Sequence, residues 1–176
     1  CMLACDTLWD YASQSFQPNP FGETVPALYI GTEMKLYEEI EPIVWSVISG
    51  VEEHKIRNHS LTDSERERVM TAIQIAKRSE IYLENEPDYT CAFIEYKVDE
   101  YKVNHNIGAL IFDYIELIPT LTAEYVQMSK GVAAREDMVL LHLSTHLKNL
   151  ANSYDIYVHA FTQIANDARR DETIRD

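Results

Sequence analysis

Short, unbroken apolar runs that alternate with amphipathic helical stripes constrain this chain more than any other feature. Pro26-Ala27-Leu28-Tyr29-Ile30-Gly31, Ala109-Leu110-Ile111-Phe112 and Ile156-Tyr157-Val158-His159-Ala160-Phe161 are too short for helices and rich in strand-forming side chains. Ile81-Tyr82-Leu83 is a shorter candidate of the same kind. A strand with one wet face would alternate apolar and polar residues. Continuous apolar runs are instead buried on both faces, the condition of a parallel sheet.

The intervening segments carry helical stripes. Residues 1–14 read as a helix, with Cys1 and Cys5 one turn apart, followed by a Pro/Asn/Gly-rich loop at 17–24. From Met34 to Ser49, Leu36, Ile40, Ile43, Val44 and Val47 fall on one face, with Pro42 set to kink or split the helix and Gly50 to stop it. Thr62-Asp63-Ser64-Glu65 is a capping box opening a helix with Val69, Ile73 and Ala76 inward. Asn85-Glu86-Pro87-Asp88 is turn chemistry. Residues 90–104 place Ile94, Val98 and Tyr101 on one face, and Leu140, Leu143, Leu147 and Leu150 mark a helix over 138–151. Strand, helix, strand, helix, strand predicts an α/β fold: a mostly parallel sheet flanked by helices on both faces.

Composition narrows the function class. The 176 residues hold 46% apolar and 25% charged side chains, ordinary values for a globular chain. No run approaches the ~18 apolar residues of a membrane span. Asp6 and Asp10 interrupt any signal-peptide-like stretch, so a cytoplasmic protein with no membrane partner is expected. A net charge of −14 opposes broad nucleic-acid binding and leaves room only for a local gripping loop. Three cysteines without a CxxC pair give neither a disulfide framework nor a zinc motif. His142 and His146 have the spacing of a helical two-His metal pair, but no third ligand is apparent in the sequence and they read as packing histidines. The acidic run Glu38-Glu39 with Glu41 reads as a solvated helix face.

In open α/β sheets, ligands bind beyond the carboxyl ends of the strands. Three polar residues fall there: Glu33 after the first strand, Asp113 after the central one and Gln163 after the last. An acid closing an apolar strand suits Mg²⁺ held through water, a second carboxylate suits activation of an attacking water, and an amide suits sensing of a terminal phosphate. Each has a structural alternative: helix-terminus charge for Glu33, turn residue for Asp113, surface amide for Gln163.

Leu28-Tyr29-Ile30-Gly31-Thr32-Glu33-Met34, Ser49-Gly50-Val51, Leu61-Thr62-Asp63, Ile81-Tyr82-Leu83-Glu84-Asn85-Glu86-Pro87, Ile107 through Leu117, Leu147-Lys148-Asn149-Leu150-Ala151 and Phe161-Thr162-Gln163 run in the order and spacing of one family. Over about residues 28–166 the chain resembles the hexameric DnaB-type replicative helicases, most specifically in the Walker B strand ending at Asp113. The resemblance implies a RecA-like P-loop ATPase core using ATP and Mg²⁺, spanning residues 1–176 as a partial domain. The family's phosphate loop would precede Cys1, and its Arg finger would follow Asp176. Glu33 would be the catalytic base, Asp113 the Mg²⁺-associated acid and Gln163 the γ-phosphate sensor, all three lining the nucleotide site. The resemblance further implies a hexamer around single-stranded DNA, with a helicase loader and primase as further partners. DNA-gripping loops would fall within about 119–137, where Lys130 and Arg135 are the basic residues.

Departures from the family pattern are Glu116 in place of a Gln and Asn166 in place of an Arg. The stretch before helix 138–151 also aligns poorly. Two alternatives stand beside the motor: another RecA-like ATPase of recombinase or clock type, and a non-catalytic module that keeps the sheet but not hydrolysis.

Overall fold

The computed structural model describes residues 4–20, 22–130 and 134–163; Cys1, Asn166 and the terminal Arg169–Asp176 lie outside them. Strands β3 (Ala27–Gly31), β4 (Ile81–Asn85), β5 (Ala109–Ile115) and β6 (Tyr157–Thr162) form one sheet in the order β4-β3-β5-β6, every pairing parallel. The chain thus steps from β3 to β4 in one direction, then crosses back over β3 to lay down β5 and β6 in the other. Crossovers of one hand that run in opposite directions must place their helices on opposite faces.

The helices obey this rule. On one face, α1 (Glu41–Ser49) and α3 (Asp63–Arg78) pack Val44, Ile48, Ala72 and Ile75 toward Tyr29 and Leu83. On the other, α4 (Cys91–His105), α5 (Pro119–Met128) and α6 (Glu136–Tyr154) bury Ile94, Val98, Leu121, Leu143 and Leu147 against Leu28, Ile30, Leu110 and Phe112. Successive residues of β3 and β5 therefore serve opposite cores, which is why both runs are apolar without a break. Phe112, fully buried, meets Tyr89 edge to face at 5.0 Å. Side chains this size each contribute about 1.5–3 kcal/mol on burial. The α1 face is not covered everywhere: on β6, Tyr157 (68% exposed) and Phe161 (53%) remain open.

Two sequence expectations change here. The helix expected over 1–14 gives way to a hairpin: β1 (Thr7–Asp10) and β2 (Ser15–Pro18) pair antiparallel, with Trp9 opposite Phe16 at 5.3 Å. The Asp10 carboxylate accepts the amides of Ala12 and Ser13, a local turn that competes with helix. Cys5 is buried ahead of the hairpin, against the α1 core. Gly50, left-handed at φ 64°, stops α1 where the hairpin rests: Tyr11 donates to its carbonyl, and a Cβ there would meet Trp9 Cδ1 at 2.6 Å. The second correction concerns 119–137, where α5 occupies most of a segment expected to be loop. Pro119 opens α5 at a position where its missing N–H costs nothing, and Leu121 is its one buried residue, so it shows no stripe.

Elsewhere the expected elements form. Pro42 divides its segment as anticipated, a π-helical stretch over Leu36–Ile40 giving way to α1 at Glu41. The Thr62 capping box is complete, with its hydroxyl accepting from Glu65 N and the Glu65 carboxylate accepting from Thr62 N. Short α2 (Glu53–Arg57), charged at four of its five positions if His54 is counted, has no sequence signature. Among the described residues no helix is long and apolar enough to cross a membrane.

Candidate functional site

Because β4 lies to one side of β3 and β5 to the other, the crevice at the carboxyl ends of β3 and β5 is the point where strand order reverses, the usual ligand position in such sheets. Gly31 and Asp113 sit in register across it. Asp113 shares the parity of Ala109 and Ile111 and so projects to the α1 side, at the rim of an apolar hollow lined by Tyr29, Ile40, Ile111 and Phe161. Tyr29 Oη donates to Asp113 Oδ2 at 3.0 Å. Burial, then the neighbouring carboxylate charge, pushes the Tyr29 phenol well above its ordinary range, so it is a committed donor.

Thr32 fixes the backbone around this pair. Its amide donates to Asp113 O at 2.8 Å, and its hydroxyl accepts from Tyr114 N at 3.1 Å. The Asp113–Tyr114 peptide bond is cis. The Tyr114 phenol is raised by partial burial and then by Glu116 and Glu33, both of which lie against it. Asp113 and Tyr114 lie inside β5, not beyond its end as expected for Asp113, and exposed Glu33, two residues past β3, neighbours Tyr114. Gln163 is exposed one residue beyond β6 at the same edge, without a hydrogen bond to Glu33 or Asp113.

Among the described residues this rim is rich in carboxylates and poor in free cations. Lys35, its nearest base in sequence, is paired with Glu38 at 3.0 Å. Asp113 receives one side-chain hydrogen bond, which leaves lone pairs on both oxygens, and a set of oxygen donors with surplus negative charge is the chemistry that holds a hard divalent cation. A Mg²⁺ ion fits these residues.

Sequence reasoning missed Tyr29 and Thr32. Tyr29 lies inside a run read as sheet core and Thr32 just past its end, and only the register of β3 on β5 brings them to Asp113. Lys130 and Arg135 flank residues 131–133, beyond the described chain. Lys130 is exposed at φ 58°, while exposed Arg135 makes a two-pronged ion pair with Asp137 at 3.0 and 2.7 Å.

The sequence matches the model of the family "DnaB-like helicase C terminal domain" over residues 14–174. It is 34% identical over 167 residues to the SPbeta prophage-derived uncharacterized protein YorI of Bacillus subtilis (strain 168), which covers 95% of this chain. The chain spans 32% of that relative's length. Among solved structures, one ATPase domain superposes with a TM-score of 0.64 at 16% identity, covering 82% of this chain and 49% of that one. A DnaB-like replicative helicase, described with its interactions with primase, gives the same TM-score and identity over 85% and 34%. These two likenesses establish the fold: a RecA-like ATPase domain, its parallel sheet flanked by helices on both faces.

Proposed function

Since the chain belongs to the family of DnaB-like helicase C-terminal domains, we propose that it supplies the catalytic rim of an ATP-driven motor that translocates on single-stranded DNA and unwinds duplex. The observation that carries this reading is the Tyr29–Asp113 bond at the switch point, with exposed Glu33 near the same strand end. Asp113 would orient the water shell of Mg²⁺, which supplies charge neutralisation between the phosphates. Glu33 would accept the proton of the attacking water. Gln163 would contact the terminal phosphate from β6 and carry its loss to the helices behind the sheet.

These 176 residues contain no Gly-Lys-Ser/Thr sequence, and a phosphate cradle supplied to this rim would complete the motor. The uncovered face of β6, with Phe161 at its end and Asp113 at the rim of the hollow, is an apolar bed on which it would seat. We place single-stranded DNA at Lys130 and Arg135. A hexamer is the assembly in which such sites lie between neighbours. A primase and a helicase loader are its further partners, the former in keeping with the DnaB-like neighbour described with primase.

Glu33→Gln in the intact protein tests the chemistry. Nucleotide affinity is expected to hold within about threefold, while ATP turnover falls by roughly 10²-fold or more, the usual contribution of a general base. Unchanged turnover with nucleotide still bound removes Glu33 from that role. Absence of nucleotide binding in the wild-type protein favours the non-catalytic module.

A further inference from the structure

The first turn of α4 is a meeting point of three helices on the face of the sheet opposite α1. Cys91 Sγ, a carboxylate oxygen of Glu124 on α5 and a ring nitrogen of His142 on α6 all lie within 4.8 Å of one another. Cys91 is buried, and the other two are half-buried. Glu124 is rigidly presented: Oε2 accepts the Cys91 amide at 2.8 Å and Oε1 the Ala92 amide at 3.1 Å. Those bonds account for a carboxylate at a helix N-terminus, and the Cys91 thiol also lies against that carboxylate.

The imidazole is not accounted for. His142 Nε2 is shut off from solvent and has no hydrogen-bond partner, a condition buried polar atoms rarely tolerate. Its ring leans on Tyr125 at 5.8 Å, which restricts its orientation. His146, one turn along the helix, sits 3.9 Å from Glu95 instead, so the two histidines do not share one site.

We propose that Cys91, Glu124 and His142 form a binding site for one thiophilic divalent cation, of which Zn²⁺ is the chemical match, tying α4, α5 and α6 together. Sulfur and imidazole beside one carboxylate is a zinc donor set, whereas Mg²⁺ and Ca²⁺ want oxygen alone. Tetrahedral bonds of about 2.0–2.3 Å place ligand atoms roughly 3.5 Å apart. Closing the present spacing to that asks for small shifts of the Cys91 and His142 side chains toward Glu124, which stays on its two amides, with water as the fourth ligand. The amide bonds to Glu124 orient that ligand as second partners do in metal sites. The consequence is mechanical: the ion fixes how α5 and α6 pack against the first turn of α4. This site does not depend on ATP chemistry at the rim.

Metal-free full-length protein titrated with Co²⁺ alone tests the site. One equivalent is expected to produce the near-ultraviolet thiolate-to-cobalt band with tetrahedral visible bands, displaced by Zn²⁺. Cys91→Ala and His142→Ala should each abolish the tetrahedral spectrum, and Zn²⁺ but not Mg²⁺ should raise the melting temperature of the wild type. Glu124→Gln, which retains an oxygen for the helix amides, should keep the thiolate band with at least tenfold weaker binding. Circular dichroism checks that each variant is folded. No thiolate band on the folded wild type, or a band that survives Cys91→Ala and so belongs to another cysteine, overturns the proposal. Should Cys91→Ala fail to fold, the wild-type spectrum with His142→Ala decides.

Discussion

Tyr29→Phe isolates the interaction that positions Asp113. The change removes one oxygen and leaves the ring, so no cavity forms beneath β3 and the loss reports on the 3.0 Å bond to Asp113 Oδ2. A hydrogen bond to a charged acceptor contributes about 1.5–3 kcal/mol. Both side chains are half-buried at the rim of the hollow, so water partly replaces the phenol and the loss sits at the low end, about 1.5 kcal/mol. For a chain of this length each kcal/mol moves the melting temperature by about 2–4 °C, so a fall of about 3–6 °C is expected. Urea unfolding of Tyr29→Phe, Asp113→Ala and the double variant gives the pair's coupling directly, expected near 1 kcal/mol. In the intact protein, freeing Asp113 should lower ATP turnover by up to about tenfold, equivalent to 1.4 kcal/mol. An unchanged midpoint with zero coupling refutes the argument, and the Thr32 backbone clamp alone would then hold the turn.

Lys130 and Arg135 should differ in their effect on single-stranded DNA binding. Lys130→Ala should weaken it uniformly and reduce the salt slope by about one. Arg135→Ala should do less, because Arg135 already pairs with Asp137; no change in either variant moves the DNA to other loops. Alkaline stability reports on buried phenols. Burial and then the hydrogen bond to Glu84 push Tyr101 up from 10.0 to about 12. A phenol raised in the fold contributes fully below its unfolded value, so stability should hold up to pH 10 and decline from there toward about 12. Tyr101→Phe should flatten that decline in a urea midpoint series, and an unaltered slope would place the alkaline loss elsewhere.

Local chemistry fixes much of this protein. The continuous apolar runs of β3 and β5 require strands buried on both faces, the Thr62–Glu65 pair satisfies its own orphan amides, and Pro42 divides its segment; each of these was legible in sequence and stands in the fold, whereas the equally apolar run of β6, also expected to be buried, lies mostly exposed. The carboxyl edge of a parallel sheet is a property of chain direction, so acids near it were legible too, although Asp113 falls inside β5 and not after it. Residues 1–14 misled because helical spacing of Cys1 and Cys5 says nothing about Asp10 folding its carboxylate onto the next turn, or Trp9 finding Phe16 across a hairpin. α5 was invisible because a helix that buries one residue has no periodicity.

What only the tertiary structure decided is proximity. Tyr29 reads as one more apolar strand residue until the register of β3 on β5 points it at Asp113. Cys91, Glu124 and His142 are 33 and 18 positions apart, a spacing no motif records, and they converge because three helices are packed on one sheet face by Leu110 and Phe112. Sequence periodicity determines which face a residue takes. Which distant residue it meets there depends on strand order and register, which the chain settles only when the whole sheet closes.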